Sequence, residues 1–222
     1  MSGRPAYLAS ALSIGVATGV YGASFGVLAV GAGLTAAQAC VMSVIVFTGG
    51  SQFAAIGVIG SGGSPATAVG SALLLGVRNA AYGLSMAPLL PRPRLRRALA
   101  SQIVIDESVA MARAQTDPVD ARGAFFATGL SVFVLWNLGT LLGALAGGQL
   151  DPKDYGLDAM FPAAFLALLA PQLRQRDAPA AALLGALIAV VLVPLTPAGI
   201  PVIAAALALV VAARRCREGM PR

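Results

Sequence analysis

The chain has 222 residues, 58% of them hydrophobic and 11% charged, with a mean hydropathy of +0.83. A soluble domain carries roughly a quarter of its residues as charges, so most of this surface must face something other than water. The net charge of +6 does not point to nucleic acid, because the basic residues sit beside the ends of apolar runs, as in the cytoplasmic loops of membrane proteins.

Arg78 is the only charged residue between Arg4 and Arg92, and none lies between Arg122 and Asp151 or between Asp177 and Arg214. The apolar runs are continuous rather than alternating, which excludes a few-stranded barrel. Lipid leaves helices as the remaining solution, since each backbone group must find its partner within its own segment. The expected fold is therefore all-α, a polytopic transmembrane bundle of about seven segments in one domain. Abundant Ala and Gly fit close helix packing.

In chain order the segments fall at about Tyr7–Ala32, Ala36–Gly60, Ser64–Leu90, Gly123–Gly148, Leu157–Leu173, Ala178–Val193 and Ile200–Ala213. The first runs well past the roughly 7–15 apolar residues of a signal peptide, so it reads as an uncleaved helix. The second contains Thr48-Gly49-Gly50-Ser51-Gln52, where paired glycines each weaken a helix by about 1 kcal/mol, making a break credible. The last three are short, with Pro162, Pro171, Pro194, Pro197 and Pro201 at their ends, and read as tilted, broken or partly re-entrant. Between the third and fourth lies Ala98–Ala114, a helix too polar for lipid because of Asp106, Glu107 and Arg113. Cys40 and Cys216 occupy an apolar segment and a basic tail, so no disulfide framework is implied.

Orientation follows from the basic clusters. Arg92, Arg94, Arg96 and Arg97, then Arg113 and Arg122, belong in the cytoplasm, and so does the C-terminus, with Arg214, Arg215 and Arg217. The N-terminus stays open. Three full crossings place it outside, whereas a second segment that enters and leaves on one face places Arg4 inside.

No histidine is present, and no GxxxxGK[ST] phosphate loop, so histidine triads, HExxH zinc sites and nucleotide phosphate loops are absent. No metal or cofactor site is expected. An embedded enzyme built on Asp106 and Glu107 is disfavoured against a transporter. Arg78 is the most informative residue, since an arginine near the bilayer centre costs at least about 2.5 kcal/mol. Either it snorkels or pairs with Asp106 or Glu107, or its guanidinium holds a substrate carboxylate, for which its fork is well shaped. Asp106 and Glu107 are adjacent, about 100° apart on a helix, so both are not expected to face one pocket fully. One of them titrates in a proton-coupled cycle, or both are simply wet at an interface. The Gly49, Gly50, Ser51 and Gln52 stretch offers a helix break of the kind transporters use to bind ionic ligands, or a close packing contact. Asn79, Tyr82 and Asn137 read as interhelical hydrogen bonders or ligand contacts, and Trp136 as a buried aromatic wall.

These residues also carry a resemblance. Tyr21-Gly22-Ala23-Ser24-Phe25-Gly26, Val46-Phe47-Thr48-Gly49-Gly50-Ser51-Gln52-Phe53, Arg78-Asn79-Ala80-Ala81-Tyr82-Gly83 and Asp106-Glu107-Ser108, with Gly139 to Phe165 after them, resemble the AzlC family from about Tyr7 to Leu169. The resemblance implies the large subunit of a bacterial inner-membrane exporter of valine, leucine, isoleucine or methionine. It also implies a small hydrophobic partner of the AzlD type. Asn79 stands where the family commonly has histidine. The expectation is thus a secondary exporter of small apolar amino acids in a lipid bilayer. Its substrate contacts would be Arg78, Asn79, Tyr82 and Gly49 to Gln52, with Asp106 or Glu107 taking an amine or a coupling proton. A passive pore and a non-transporting assembly partner are the alternatives.

Overall fold

The computed structural model describes residues 5–147, 166, 170, 172–174 and 178–208, and all their regular structure is helical. Seven helices lead from the N-terminal end: α1 (Tyr7–Gly31), α2 (Ala36–Ile45), α3 (Gly50–Gly60), α4 (Pro65–Met86), α5 (Arg94–Ser101), α6 (Asp106–Arg113) and α7 (Pro118–Gly147). Two more, α8 (Ala178–Leu192) and α9 (Ile200–Ala205), follow. Leu157–Leu173 and Gly148–Asp158 fall almost wholly outside the described residues, as do Cys216 and the basic tail.

Local chemistry sets the ends. Thr35 caps α2 reciprocally with Gln38, accepting from the Gln38 backbone N–H at 3.2 Å while Gln38 Oε1 accepts from the Thr35 N–H at 2.8 Å. Ser64 caps α4 ahead of Pro65. The Asp117 carboxylate takes the Val119 and Asp120 N–H groups and starts α7 at Pro118, five residues earlier than the apolar run alone implies.

At 1.5 Å per residue, the 25 residues of α1 and the 30 of α7 exceed the roughly 30 Å of a hydrocarbon core. Both are apolar enough to cross it. Their outward faces carry Leu8, Leu12, Val16 and Val20, and Leu130, Val134, Leu138 and Leu142, all exposed. Their facing sides carry glycine. Gly15, Gly19, Gly22 and Gly26 of α1 lie against Ser131, Leu135, Trp136 and Thr140, and Gly139, Gly143 and Gly147 of α7 against Gly19, Ala23 and Val27. A Cβ on Gly22, Gly26, Gly139 or Gly143 would run into the opposite backbone, so only glycine permits this approach.

The paired residue numbers rise together along the seam, from Tyr7 beside Gly123 to Val27 beside Gly147. The two helices are therefore parallel and begin on the same face. Gly60, ending α3, packs beside Ala32, just past the end of α1 and four residues before α2 begins; a Cβ there would stand 3.3 Å from the Ala32 methyl. The Ala36–Gly60 segment thus enters and leaves at one face, as a re-entrant hairpin broken at residues 46–49.

The polar segment is not the single helix expected from Ala98 to Ala114. It breaks at Gln102–Ile105, because the Ser108 hydroxyl accepts the Ile105 N–H at 3.1 Å and starts α6 anew. Met86 and Leu90, at and just past the end of α4, share a buried cluster with Ala100, Val109, Ala112 and Phe125. The α5–α6 pair therefore rises from the face where α4 ends and α7 starts, opposite to the α2–α3 pair. The two hairpins meet inside, tip against tip.

Candidate functional site

The meeting point encloses a cavity of about 190 Å³. It is lined by Thr18 and Tyr21 of α1, by Phe47, Thr48, Gly49, Gly50 and Phe53 at the first tip, and by Arg78 and Asn79 of α4. Ile105, Asp106 and Glu107 at the second tip and Val132 and Trp136 of α7 complete it. Pockets for drug-sized ligands run to roughly 300–1,000 Å³, so this one suits a small solute.

Its walls differ in character. On one side Arg78 Nη2 lies 2.7 Å from Asp106 Oδ2, both side chains partly open to the cavity. Of the two pairings open from sequence, Arg78 takes Asp106. Tyr82, one turn along α4, does not line the cavity. Asn79 Nδ2 donates to the Val104 carbonyl at 3.4 Å, which steadies the second break. On the other side the wall is aromatic and aliphatic. Phe53 meets Phe25 and Trp136 edge-on at centroid distances of 5.8 and 6.3 Å, and Phe47 meets Phe133 at 5.0 Å. Trp136 is buried, as its mid-segment position implied.

Both tips offer a helix N-terminus to this space. Gly49 has φ +57° and ψ −82°, a left-handed conformation that glycine alone adopts easily, and its N–H donates to Gln52 Oε1 at 3.2 Å. Gln52 is fully buried and Ser51 nearly so, and neither lines the cavity. They shape the break rather than the wall. Gly50 does line it, and a Cβ there would lie 3.6 Å from Arg78 Nη2. At the second tip Asp106 and Glu107 occupy the first turn of α6, where acids suit the helix dipole. Because that turn begins at the cavity, both acids are among the residues that line it. If all three ionisable groups are charged, Asp106 is matched by Arg78 and Glu107 is left over.

Sequence reasoning gave no role to Thr18, Tyr21, Phe47, Phe53, Ile105 or Val132. Tyr21, Phe47 and Phe53 stood only within the motifs that carry the resemblance, and Thr18, Ile105 and Val132 sit in apolar runs whose pattern does not single them out. Asn137 donates to the Phe133 carbonyl at 2.8 Å within its own helix, and does not line the cavity.

The profile of the AzlC protein family matches residues 13–150, which includes every residue lining this cavity. Two Helicobacter pylori proteins, from strains 26695 and J99, are each 28% identical over 172 residues, 77% of this chain and 75% of theirs. Both are named uncharacterized membrane protein. No solved structure matches the chain.

Proposed function

This chain belongs to the AzlC family, and from that premise we propose that it is a secondary transporter exporting small apolar amino acids across the bacterial inner membrane. The observation that carries the reading is the two-sided cavity. An Arg78–Asp106 pair faces an aromatic and aliphatic wall where two opposed re-entrant hairpins meet.

A zwitterion fits both ends of that pair. Its carboxylate takes the Arg78 guanidinium in a charge-assisted contact and its ammonium takes Asp106, while an aliphatic side chain lies against Phe53, Val132 and Trp136. With no substrate bound, Arg78 and Asp106 neutralise each other, which makes a mid-membrane arginine tolerable. The N-termini of α3 and α6 add favourable potential for a carboxylate, as in broken-helix transporters. Glu107 is the acid left to carry a coupling proton, because Asn79 cannot titrate. Binding alone separates valine from leucine poorly, since one methylene is worth about 1–3 kcal/mol.

The face at which α1, α5 and α7 begin holds Arg92, Arg94, Arg96, Arg97, Arg113 and Arg122, and the positive-inside rule makes it cytoplasmic. Because α1 is parallel to α7, α1 starts from the cytoplasmic face too. A small hydrophobic subunit of the AzlD type is the proposed partner.

The test is efflux of valine, leucine, isoleucine and methionine from cells preloaded with dipeptides, with and without the companion chain. Efflux that needs both chains and stops when the proton-motive force is collapsed supports the reading. No efflux, with both chains verified in the membrane, overturns it.

A further inference from the structure

One residue outside the cavity ties the two hairpins together. Helix α2 stops at Ile45, partway along the bundle and with Val44 and Ile45 exposed on its outer face, so its last carbonyls have no helical partner. Unsatisfied carbonyls in a lipid-embedded core are costly. The Met42 carbonyl accepts the Val46 N–H at 2.8 Å. The Val44 and Ile45 carbonyls instead accept from Gln102 Nε2, at 2.7 and 3.2 Å, across 58 and 57 residues of sequence. Gln102 opens the second break and so reaches from one tip to the other.

The consequence is geometric. Residues 102–105 form a short strap between α5 and α6. One end is pinned to α2 by Gln102, its middle to α4 by Asn79 through the Val104 carbonyl, and its far end to α4 by the Arg78–Asp106 pair. Ile105, Asp106 and Glu107 all hang from this strap into the cavity. We propose that Gln102 is a positioning residue, which sets the separation of the two hairpin tips and thereby the cavity's shape and closure. It acts by donating to the α2 carbonyls, so chemistry matters more than bulk. A lysine of similar reach donates to helix C-terminal carbonyls as well. A glutamate of the same length repels them.

The chain's single tryptophan, Trp136, lines the cavity and is buried, so its fluorescence reports closure directly. The experiment measures acrylamide quenching of Trp136 in the full-length chain in detergent, without substrate, for wild type, Gln102→Ala, Gln102→Glu and Gln102→Lys. Gln38→Ala serves as a comparison, because it removes the cap at the opposite, exposed end of the same helix α2. The expected result is increased quenching in Gln102→Ala and more in Gln102→Glu, with Gln102→Lys and Gln38→Ala close to wild type. Quenching in Gln102→Ala and Gln102→Glu that equals wild type, or that Gln38→Ala reproduces, overturns the proposal and leaves a plain helix cap.

A second arm rests on the cavity being the amino-acid site. There, the leucine Kd read from the same fluorescence weakens about tenfold in Gln102→Ala, the effect of roughly one neutral hydrogen bond. Wild type that ignores leucine counts against the functional reading alone, because the acrylamide arm still decides the role of Gln102.

Discussion

The α1–α7 seam and the paired hairpin tips both sit mid-bundle, yet they are built on opposite principles. The seam is two unbroken helices locked by facing glycines, with backbone against backbone and nothing charged. The tips are four half-length helices that end partway along the bundle, where side-chain amides, a hydroxyl and an ion pair satisfy freed groups. Van der Waals packing at the seam tolerates almost no change in shape. The polar ties at the tips can be exchanged for contacts with a solute. A transporter needs both, a fixed frame and a site whose bonds can be traded. The seam is the frame.

Substitutions that insert bulk at the seam should therefore have the largest effects and carry no substrate signature. In Gly143→Val the new side chain meets the Ala23 backbone. Overpacking costs about 1–3 kcal/mol or more, and here a helix backbone must move, so loss of membrane-inserted protein on a blot is expected. Normal levels would show that the seam yields.

At the tips the opposite pattern is expected. Arg78→Ala should reach wild-type levels but lower apparent affinity for leucine in efflux assays by about 10- to 100-fold, equivalent to a charged hydrogen bond of about 1.5–3 kcal/mol. Arg78→Lys should recover only part, because an ammonium lacks the fork. Glu107→Gln should leave substrate affinity within about threefold, roughly the scatter of an unrelated surface change of ±0.5 kcal/mol, while efflux loses its response to the proton-motive force. A Glu107→Gln variant that stays coupled would move the proton elsewhere. Smallest of all, Ser43→Ala removes a buried 3.1 Å hydroxyl pair with Thr140. A cost of about 1 kcal/mol in stability, seen as a modest drop in melting temperature with unchanged efflux, would place that pair with the frame.

Much of this contrast was legible in the chain itself. The apolar runs gave α1, α4 and α7, and Gly49-Gly50 marked the first break. The isolation of Arg78 against Asp106 and Glu107 pointed to the ion pair. The second break escaped because Ile103-Val104-Ile105 carries neither Gly nor Pro. Its signal lay just beyond, in two acids and a serine at Asp106-Glu107-Ser108, a helix-start pattern. The seam was written in glycines spaced three or four apart in α1 and four apart in α7, but which helix they faced depended on tertiary packing. So did the parallel direction of α1, which one arginine near the N-terminus could not determine.

The central claim is that the Arg78 cavity binds an amino acid by both of its charged ends. Titrating the purified chain with leucine, and separately with leucinamide, while following Trp136 fluorescence tests it most directly. The account predicts a saturable change with leucine in wild type, none with leucinamide, and none with leucine in a folded Arg78→Ala protein. A wild-type-like leucine response in Arg78→Ala, or an equal response to leucinamide, would contradict it.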